Sequence, residues 1–260
     1  MLQTQKLVQD KVVLVTGAGG GIGRDIALAM AREGAQVVVN DIGASVSGEG
    51  HNDGPAQHVV NEIRALGVQA VANTDSVAEA GSAARMVQCA LDHFGRIDVV
   101  VNNAGILRDR FFHKMSTDEW DAVIKVHLYG AYFVSRAAAT HFKEQNSGCY
   151  IHMTSTSGLV GNFGQANYAA AKAGILGMTR ALAKELGPTI AINAICPGVI
   201  KTELGNALTK AREPELVKGI ALGRLGSPAD VAALVVFLAT VESNFITGQD
   251  FKVDGFQWVI

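Results

Sequence analysis

The sequence has little of what marks secreted, membrane-bound or disulfide-stapled proteins. It contains only three cysteines, Cys89, Cys149 and Cys196, and their odd number and wide spacing fit reduced thiols rather than a disulfide framework or a zinc site. The apolar run that ends at Ala239 is far too short to span a bilayer. Residues 1–10 lack the apolar centre of a signal peptide. We therefore expect a cytoplasmic protein with no membrane partner.

The chain also lacks an excess of charge of either sign. Its formal net charge is -2, which gives no reason to expect binding to nucleic acid. Segment 43–54 is rich in Gly, Ser, Asn and Asp, which predicts a mobile loop. His51 and Asp53 lie in that loop, but their spacing matches no defensible ligand set, so we expect no metal site.

Strand-like and helix-like patterns alternate along the whole chain. Such alternation is typical of a parallel sheet with helices on both faces, and 260 residues suffice for a large buried core. No internal repeat or break in composition marks a second domain. The sequence predicts a single Rossmann-type, doubly wound α/β domain with a seven-stranded parallel sheet, whose strands lie near 12–16, 36–41, 68–73, 97–102, 149–154, 190–195 and 248–253.

A glycine-rich turn follows the first predicted strand. The string from Thr16 to Gly23 reads TGAGGGIG, and a helical pattern begins directly after it. Glycines allow a tight turn and close approach to a pyrophosphate, which binds the N–H groups and the positive dipole end of the following helix. This context predicts a dinucleotide site.

An acidic residue, Asp41, ends the second predicted strand about twenty residues after the glycine turn. A carboxylate at this place accepts hydrogen bonds from the adenosine ribose and repels a 2'-phosphate, which favours NAD over NADP. Two alternatives stay open. Asp41 could serve only as a turn residue, and Arg24 could offer a contact to a phosphate.

Tyr168 and Lys172 are four residues apart in a run of helix formers, so their side chains share one helix face. A lysine ammonium and a bound nicotinamide cation beside the phenol favour the phenolate. Tyr168 could then exchange a proton with an alcohol near neutral pH, which is dehydrogenase chemistry.

These motifs together resemble the short-chain dehydrogenase/reductase family over nearly the whole chain. The turn from Thr16 is similar to the family's TGxxxGxG, Asn102-Asn103-Ala104-Gly105 to its NNAG, and Tyr168 to Lys172 to its YxxxK. Ser155 lies thirteen residues before Tyr168, where the family has its catalytic serine. Segments 197–202 and 224–228 resemble two later motifs.

The resemblance implies roles for individual residues. Ser155, Tyr168 and Lys172 are expected to be catalytic, although Ser155 could instead cap local backbone, as its neighbours Thr154, Thr156 and Ser157 could. Asp75 is expected to meet the adenine and Asn103 to lie along the adenosine, unless each only forms a turn. The full expected cofactor site is Gly17, Gly21, Ile22, Gly23, Asp41, Asp75, Asn103, Gly105, Tyr168, Lys172, Pro197, Gly198, Ile200 and Thr202.

The resemblance also implies an organisation. A cofactor half is expected at residues 10–105 and a catalytic and substrate half at 106–260, with a substrate lid near 203–222. Segments 118–142 and 166–186 carry apolar or small side chains nearly all round, which is typical of helices buried on two sides. Family members commonly pair these helices across a dimer interface, so we expect a tetramer.

One position departs from the family pattern. The family has an asparagine in a segment resembling NLxG, but here the segment is His127-Leu128-Tyr129-Gly130. His127 could relay a proton through water from Lys172 or could be a satisfied core histidine. The same histidine occurs in the (3R)-hydroxyacyl-CoA dehydrogenase group of this family, found in peroxisomal multifunctional enzyme type 2. Longer shared strings surround Asp41, Arg108 and Tyr168.

The expected reaction is therefore NAD-dependent interconversion of a (3R)-3-hydroxyacyl-CoA and its 3-oxoacyl-CoA. One alternative is an NADPH-dependent 3-oxoacyl carrier-protein reductase of the bacterial type. Asp41 disfavours NADPH. The positions that match that reductase's carrier-docking arginines fall at Asn146 and near Thr189, neither of which is basic, although an acidic carrier protein needs cations to bind. Others are a hydroxysteroid or other bulky secondary-alcohol dehydrogenase and a nucleotide-binding module without catalysis.

Overall fold

Seven parallel strands form one sheet in the computed structural model, which describes residues 6–202 and 212–257. The spatial order is β3-β2-β1-β4-β5-β6-β7, so the chain starts in the middle, winds to one edge and returns to the other. The strands are β1 (Val12–Thr16), β2 (Gln36–Asn40), β3 (Ala70–Asn73), β4 (Val99–Asn102), β5 (Gly148–Met153), β6 (Ile190–Pro197) and β7 (Asp250–Val253).

Helices cover both faces of the sheet. Alternate residues of the central strands point to opposite faces, so each face packs with its helices into a separate core. Val13 and Val15 of β1 belong to one core, whereas Val12 and Leu14 belong to the other. The helices are α1 (Gly21–Arg32), α2 (Gly54–Ala65), α3 (Ala80–Phe94), α4 (Thr117–Ile124), α5 (Gly130–Gln145), α6 (Ser157–Val160), α7 (Ala166–Leu186), α8 (Glu213–Lys218) and α9 (Pro228–Leu238). Helices α1, α2 and α9 pack in the first core, and α3, α5 and α7 in the second.

The predicted fold class is confirmed, as a single α/β domain with a seven-stranded parallel sheet. Each predicted strand is present within about two residues of its expected ends, and α7 spans the residues predicted for it. The predicted helical segment 118–142 is helical throughout. It comprises α4, a π-helical turn at Lys125–Tyr129 and α5, which follow one another without a break. Of the predicted lid, residues 203–211 lie outside the described part.

Segment 43–54 is a loop, as predicted, but it packs against the chain that follows β4. The Leu107 N–H donates to the Val46 carbonyl at 2.9 Å, and Arg108 Nε donates to the Ser47 carbonyl at 2.8 Å. Gly48 has a positive φ of 86° and lies against Ile106, where an added Cβ would come within 3.1 Å of that side chain. The loop that follows β2 thus packs against the segment that follows β4.

The late motif 224–228 forms the start of α9. Ser227 and Asp230 form a capping box, and Pro228 occupies the first turn. Arg224 pairs with Asp230 at 2.7 Å, which together with the capping bonds holds the pKa of that carboxyl well below its ordinary value. The motif therefore anchors the helix that packs on α1.

No helix among the described residues has the length and apolar character needed to cross a membrane.

On α5, the Tyr132 side chain is half-exposed, as is Tyr129 just before it. The tetramer expected from such helix faces stays a prediction.

Candidate functional site

Two glycines of the turn between β1 and α1, Gly17 and Gly23, lie where the surrounding backbone leaves no space for a side chain. Gly17 has φ 64°, and an added Cβ would lie 2.7 Å from Ala104 Cα. At Gly23 the added Cβ would lie 2.1 Å from the Gly17 carbonyl oxygen. Helix α1 has no side-chain cap and no acidic residue in its first turn. Its N-terminal N–H groups therefore suit an anion such as a pyrophosphate.

The segment after β4 is held directly against this turn. The Thr16 hydroxyl accepts from the N–H groups of Asn103 and Ala104 at 3.0 and 3.1 Å. The Asn103 amide donates to the carbonyls of Thr16 and Gly17, both at 3.0 Å. Asn103 is thus more than a turn residue, because it clamps the ends of β1 and β4 together.

The two acidic residues of the predicted adenosine region lie at the ends of β2 and β3. Asp41 accepts from the N–H of Gly19 at 2.8 Å and of Gly43 at 2.7 Å, which fixes its carboxylate beside the glycine turn. Asp75 pairs with Arg85 and accepts from the Asn73 amide at 2.9 Å. Asp41 therefore lies where the sequence predicts a ribose contact, and Asp75 is already engaged with a cation.

The segment after β6 closes the opposite side of the turn. Gly198 lies against Asp254, and Ile200 forms a parallel bridge with Gly226. An added Cβ on Gly21 would come within 3.6 Å of the Thr202 methyl. The carboxyl ends of β1, β2, β4 and β6 thus surround one crevice, which fits a dinucleotide at the point where the strand order reverses. No cluster of metal-binding residues occurs within the described ranges.

Tyr168, Lys172 and Ser155 meet beside this crevice. Helix α7 presents Tyr168 and Lys172 on one face, and the Lys172 Nζ lies 5.5 Å from the Tyr168 ring centroid. Lys172 is buried and donates to the Met153 carbonyl at 2.6 Å, which ties α7 to the end of β5. Ser155, which follows β5, lies close enough to the Tyr168 phenol for a hydrogen-bonding interaction that lowers the phenol pKa. The structure thus brings these three predicted residues together.

Neighbouring hydroxyls have other partners. Thr154 is buried and donates to the Ile195 carbonyl at 2.8 Å. Ser157 donates to Gln165 at 3.1 Å, and its N–H donates to Ser155 Oγ at 3.1 Å. Ser155 is the member of this group whose hydroxyl bonds the phenol, and the Ser157 N–H helps to orient it.

Three features of the surrounding protein act on the pKa of the Tyr168 phenol. Burial raises the pKa of the Tyr168 phenol above its ordinary value, the hydrogen bond from Ser155 lowers it, and the charge of Asp109 raises it. Burial also lowers the pKa of Lys172 to about 7. The sequence prediction of a favoured phenolate counts the positive charges of both Lys172 and a bound nicotinamide, and burial of the phenol opposes it.

His127 lies in the π-helical turn, and its ring meets Tyr168 edge-on with centroids 5.1 Å apart. Its Nε2 is 3.0 Å from the Ile106 nitrogen and 2.8 Å from the Ile106 carbonyl oxygen, so it bonds one of them according to its tautomer. Gly105 makes room for the ring, because an added Cβ would lie 2.3 Å from His127 Cε1. The Nε2 atom of His127 is thus buried and has a hydrogen-bond partner.

The other nitrogen, Nδ1, is buried and has no hydrogen-bond partner among the described residues. His127 and Lys172 both line a cavity of about 10 Å³, close to the size of one water molecule. Burial lowers the pKa of His127 to about 3, so the ring is neutral at physiological pH. A relay through His127 therefore requires the neutral ring to accept a proton at one nitrogen as it releases one from the other.

His127→Asn is expected to reduce the loss of stability in acid. Because its folded pKa of about 3 lies below the ordinary value of 6.5, His127 adds stability above pH 6.5 that is lost as the pH falls towards 3. The slope reaches about 1.4 kcal/mol per pH unit for one such group. Urea unfolding at pH 7.0, 5.5 and 4.5 should show a shallower decline for the variant.

A matched control is His113→Asn, which changes an exposed histidine and should leave the slope unchanged. Burial lowers the pKa of His152 to about 4. His152 therefore contributes to the decline of the unfolding free energy in acid in the wild type and in both variants. Equal slopes for His127→Asn and the wild type would show that His127 is not the group responsible.

Asn167 is a site residue that sequence reasoning missed. It is fully buried, and its amide donates to the carbonyls of Arg108 at 3.1 Å and Glu119 at 3.0 Å. Its side-chain oxygen accepts from the Tyr168 N–H at 2.8 Å. The sequence signal that could have identified Asn167 is its position as a polar residue directly before the predicted catalytic tyrosine. Asn167 positions the start of α7 against segments on the other side of the site.

A second missed feature is a polar cluster at the entrance to α7. Gln165 donates to Asp109 Oδ2 at 2.9 Å and accepts from Ser157 at 3.1 Å and Asn162 at 3.2 Å. The charge of Asp109 acts on the Tyr168 phenol. Asp109 therefore belongs to the surroundings of the predicted catalytic group.

The fold, the glycine turn and the serine–tyrosine–lysine cluster define a dinucleotide-dependent oxidoreductase. Residues 17–255 match the family model described as Enoyl-(Acyl carrier protein) reductase. The chain belongs to the short-chain dehydrogenase/reductase family, whose members use nicotinamide cofactors.

Individual relatives belong to several kinds of enzyme. The chain is 50% identical over 236 residues to a short-chain type dehydrogenase/reductase of Mycobacterium tuberculosis, covering 90% of this chain and 79% of that protein. It is 52% identical over 217 residues to peroxisomal multifunctional enzyme type 2 of Mus musculus, covering 82% of this chain but only 29% of the mouse protein. It is 41% identical over 246 residues to a 3-oxoacyl-(acyl-carrier-protein) reductase of Staphylococcus aureus, covering 94% and 97% of the two chains.

Proposed function

We propose that this oxidoreductase uses NAD to interconvert a (3R)-3-hydroxyacyl-CoA and its 3-oxoacyl-CoA. The observation that carries the proposal is the meeting of Ser155, Tyr168 and Lys172 beside a dinucleotide crevice that ends at Asp41. The cluster supplies alcohol–ketone chemistry, and Asp41 supplies the preference for NAD. The histidine at position 127, which resembles that of the family's (3R)-hydroxyacyl-CoA dehydrogenase group, and the identity to a 3-oxoacyl-(acyl-carrier-protein) reductase support an acyl substrate.

In this mechanism Tyr168 moves the proton. During oxidation its phenolate removes the hydroxyl proton of the substrate, and during reduction the phenol returns a proton to the carbonyl oxygen. Ser155 donates a hydrogen bond to the reacting oxygen and holds it within reach of Tyr168. The bound nicotinamide supplies the hydride acceptor or donor.

Lys172 has two tasks in the proposal. Its ammonium group holds the hydroxyls of the nicotinamide ribose, and its positive charge favours the phenolate of Tyr168. The anchor to the Met153 carbonyl keeps the side chain directed along the end of β5. His127 takes the place of the family's asparagine beside this pair, in reach of the small cavity that Lys172 also lines.

The remaining residues of the proposed cofactor site surround the crevice. The glycine turn and Ile22 hold the pyrophosphate, Asn103 and Gly105 lie along the dinucleotide, and segment 197–202 holds the carboxamide. Asp75 has a weaker case than Asp41 because Arg85 already occupies one of its oxygens. In the part of the chain that the structure describes, its other oxygen accepts a hydrogen bond from the Asn73 amide.

The preference for NAD rests on two features. The Asp41 carboxylate is fixed at the end of β2 and would repel a 2'-phosphate. Arg24, the cation that could accept such a phosphate, pairs with Glu62 and Asp25. The choice between NAD and NADP needs a direct assay, because the relatives include enzymes of more than one kind.

Asp41→Ser is expected to weaken NAD binding and improve NADP binding. The variant loses hydrogen bonds to the ribose and the repulsion of the 2'-phosphate, so the preference should narrow by about 1–3 kcal/mol. The measurement is kcat/KM with each cofactor for both proteins. Glu49→Ser, an exposed acid in the following loop, is the matched control. A wild-type protein that prefers NADP would contradict the assignment.

An apolar entrance favours an acyl substrate. The Arg110 N–H donates to the Gly164 carbonyl at 2.8 Å, which places the segment after Arg110 next to the segment before α7. Phe111, Phe112 and Phe163 in these segments are all exposed. Aromatic side chains at an entrance can cover a hydrocarbon chain as it enters.

The case for a carrier protein is weaker than the case for CoA. Asn146, one of the positions matched to docking arginines, ends α5 with φ 54°, a conformation that favours Asn over a long cation. An acidic carrier protein would find no positive charge there. A hydroxysteroid remains the second candidate, because the same cluster serves any secondary alcohol.

The decisive experiment compares matched substrates with NAD. A CoA thioester is expected to show a higher kcat/KM than a truncated thioester of the same acyl chain, because binding of the remote nucleotide contributes to transition-state stabilisation. A hydroxysteroid is assayed in parallel. No gain from the CoA group, or a preference for the steroid, would move the function to the secondary-alcohol alternative. Tetramer assembly and a cytoplasmic location stay predictions.

A further inference from the structure

Asp109 is fixed beside the proposed catalytic tyrosine by contacts on both of its flanks. The Arg108 carbonyl accepts from the Asn167 amide at 3.1 Å, and the Arg110 N–H donates to the Gly164 carbonyl at 2.8 Å. Between them, Asp109 Oδ2 accepts from Gln165 Nε2 at 2.9 Å. The residues directly before Tyr168 thus hold the carboxylate in place.

The two cations next to Asp109 in sequence are engaged elsewhere. Arg108 donates to the Ser47 carbonyl and lies 3.8 Å from Glu49 in the loop after β2. Arg110 pairs with Glu119 of α4 at 2.9 Å. Among the described residues, none forms an ion pair with Asp109. Its one hydrogen-bond partner there is a neutral amide, so its negative charge is not neutralised.

Hydrogen bonds connect Asp109 to Ser155, because Gln165, which donates to Asp109, accepts from Ser157, whose N–H donates to Ser155 Oγ. Within residues 6–202 and 212–257, the ionisable groups that act on or contact Tyr168 include Lys172 on the same helix, His127 in the π-helical turn and Asp109 in the segment after β4. Of these, Asp109 is the negative one, and its field acts on the phenol. The Asp109 side chain is open to solvent, although surrounding protein removes enough hydration to raise its pKa.

We propose that Asp109 is a specificity-determining residue that repels a substrate carboxylate and so selects 3-hydroxyacyl thioesters over free 3-hydroxy acids. The inference rests on the proposed function, in which Ser155 and Tyr168 bind the hydroxyl at C3. In both compounds C1 is two bonds from that carbon. In the free acid C1 carries a negative charge at neutral pH, whereas in the thioester it is a neutral carbonyl.

The energetic basis is Coulomb repulsion that is only partly screened. Two like charges several ångströms apart near a protein surface repel strongly enough to change relative kcat/KM by about tenfold or more. The repulsion acts against the unwanted compound and leaves the neutral thioester almost unaffected. Gln165 maintains the position of the carboxylate without cancelling its charge.

The test uses Asp109→Asn, which removes the charge and keeps an oxygen that can accept from Gln165. Two substrates are compared at pH 8 with NAD: 3-hydroxybutyrate and its N-acetylcysteamine thioester, a neutral thioester without the charges of CoA. The variant is expected to raise the acid-to-thioester ratio of kcat/KM by about tenfold. Asp121→Asn, an exposed acid on α4, is the control and should leave the ratio unchanged.

A second readout separates this role from a structural one. Removal of the Asp109 charge favours the Tyr168 phenolate, so the acid limb of the kcat/KM profile for thioester oxidation should move to lower pH. Asp109→Glu restores the charge and should restore both the low ratio and the original limb. Melting temperatures of all variants show whether the fold is retained.

The outcomes distinguish this inference from the proposed function. A wild type that oxidises the thioester, combined with an unchanged ratio and an unchanged pH limb in Asp109→Asn, overturns the inference alone. A wild type that oxidises a hydroxysteroid and not the thioester overturns the proposed function. The same comparison is then made between a neutral hydroxysteroid and its carboxylic-acid analogue, and an unchanged ratio there also overturns the inference.

Discussion

Tyr168→Phe is expected to lower turnover by about 10²–10⁴-fold, the usual contribution of a positioned proton donor or acceptor. Only the phenol oxygen is lost, and the ring keeps its edge contact with His127. NAD affinity should change little, because the glycine turn and Asp41 do not depend on that oxygen. The measurements are kcat for the proposed thioester and the dissociation constant for NAD by calorimetry.

Tyr132→Phe is the matched control, because Tyr132 lies half-exposed on α5, away from the site, and should keep full activity. Ser155→Ala should impair the same step by removing the hydrogen bond to the phenol and the reacting oxygen. Turnover of Tyr168→Phe within a few-fold of the wild type would mean that another group moves the proton.

Gly23→Ala is expected to weaken cofactor binding strongly. The added Cβ would lie 2.1 Å from the Gly17 carbonyl oxygen and 2.5 Å from the Asn103 amide nitrogen, so the turn and the clamp between β1 and β4 must shift. Overpacking of this kind costs about 1–3 kcal/mol of stability. A displacement of about 1 Å in a binding group can cost on the order of 100-fold, which we expect here for NAD affinity.

Gly20→Ala provides the matched control within the same turn. Gly20 has an extended backbone with φ -167°, and none of the described residues has an atom within 4 Å of an added Cβ. This variant should retain the stability of the wild type, because the added Cβ meets no protein atom of the described residues. Both proteins are compared by thermal unfolding and by calorimetric titration with NAD. Equal affinities for Gly23→Ala and the wild type would contradict the description of this turn as sterically closed.

The sequence predicts the fold well because its signals are local. Strand β1, the glycine turn and α1 follow one another without interruption, and each element has the residue types that suit it. Helix α7 has the predicted bounds because its run of small residues is regular throughout. The serine, tyrosine and lysine could be chosen by spacing, since family motifs preserve the distance along the chain.

Features that depend on distant packing could not be predicted in this way. The π-helical turn at Lys125–Tyr129 contains His127, whose Nε2 bonds the Ile106 backbone far along the chain. The raised phenol pKa depends on burial and on Asp109, and neither can be deduced from the spacing of Tyr168 and Lys172. The packing of loop 43–54 on segment 106–108 is likewise a tertiary contact.

The contacts of Asn167 make activity a late event in folding. Its amide bonds carbonyls 59 and 48 residues earlier in the chain, at Arg108 and Glu119. Helix α7 alone can form within microseconds, whereas contacts of such long sequence separation form only after extensive chain closure. Tyr168 is therefore aligned only once distant segments have docked. In a refolding experiment, helical circular dichroism should return before turnover, and the delay between them measures the slowest long-range step.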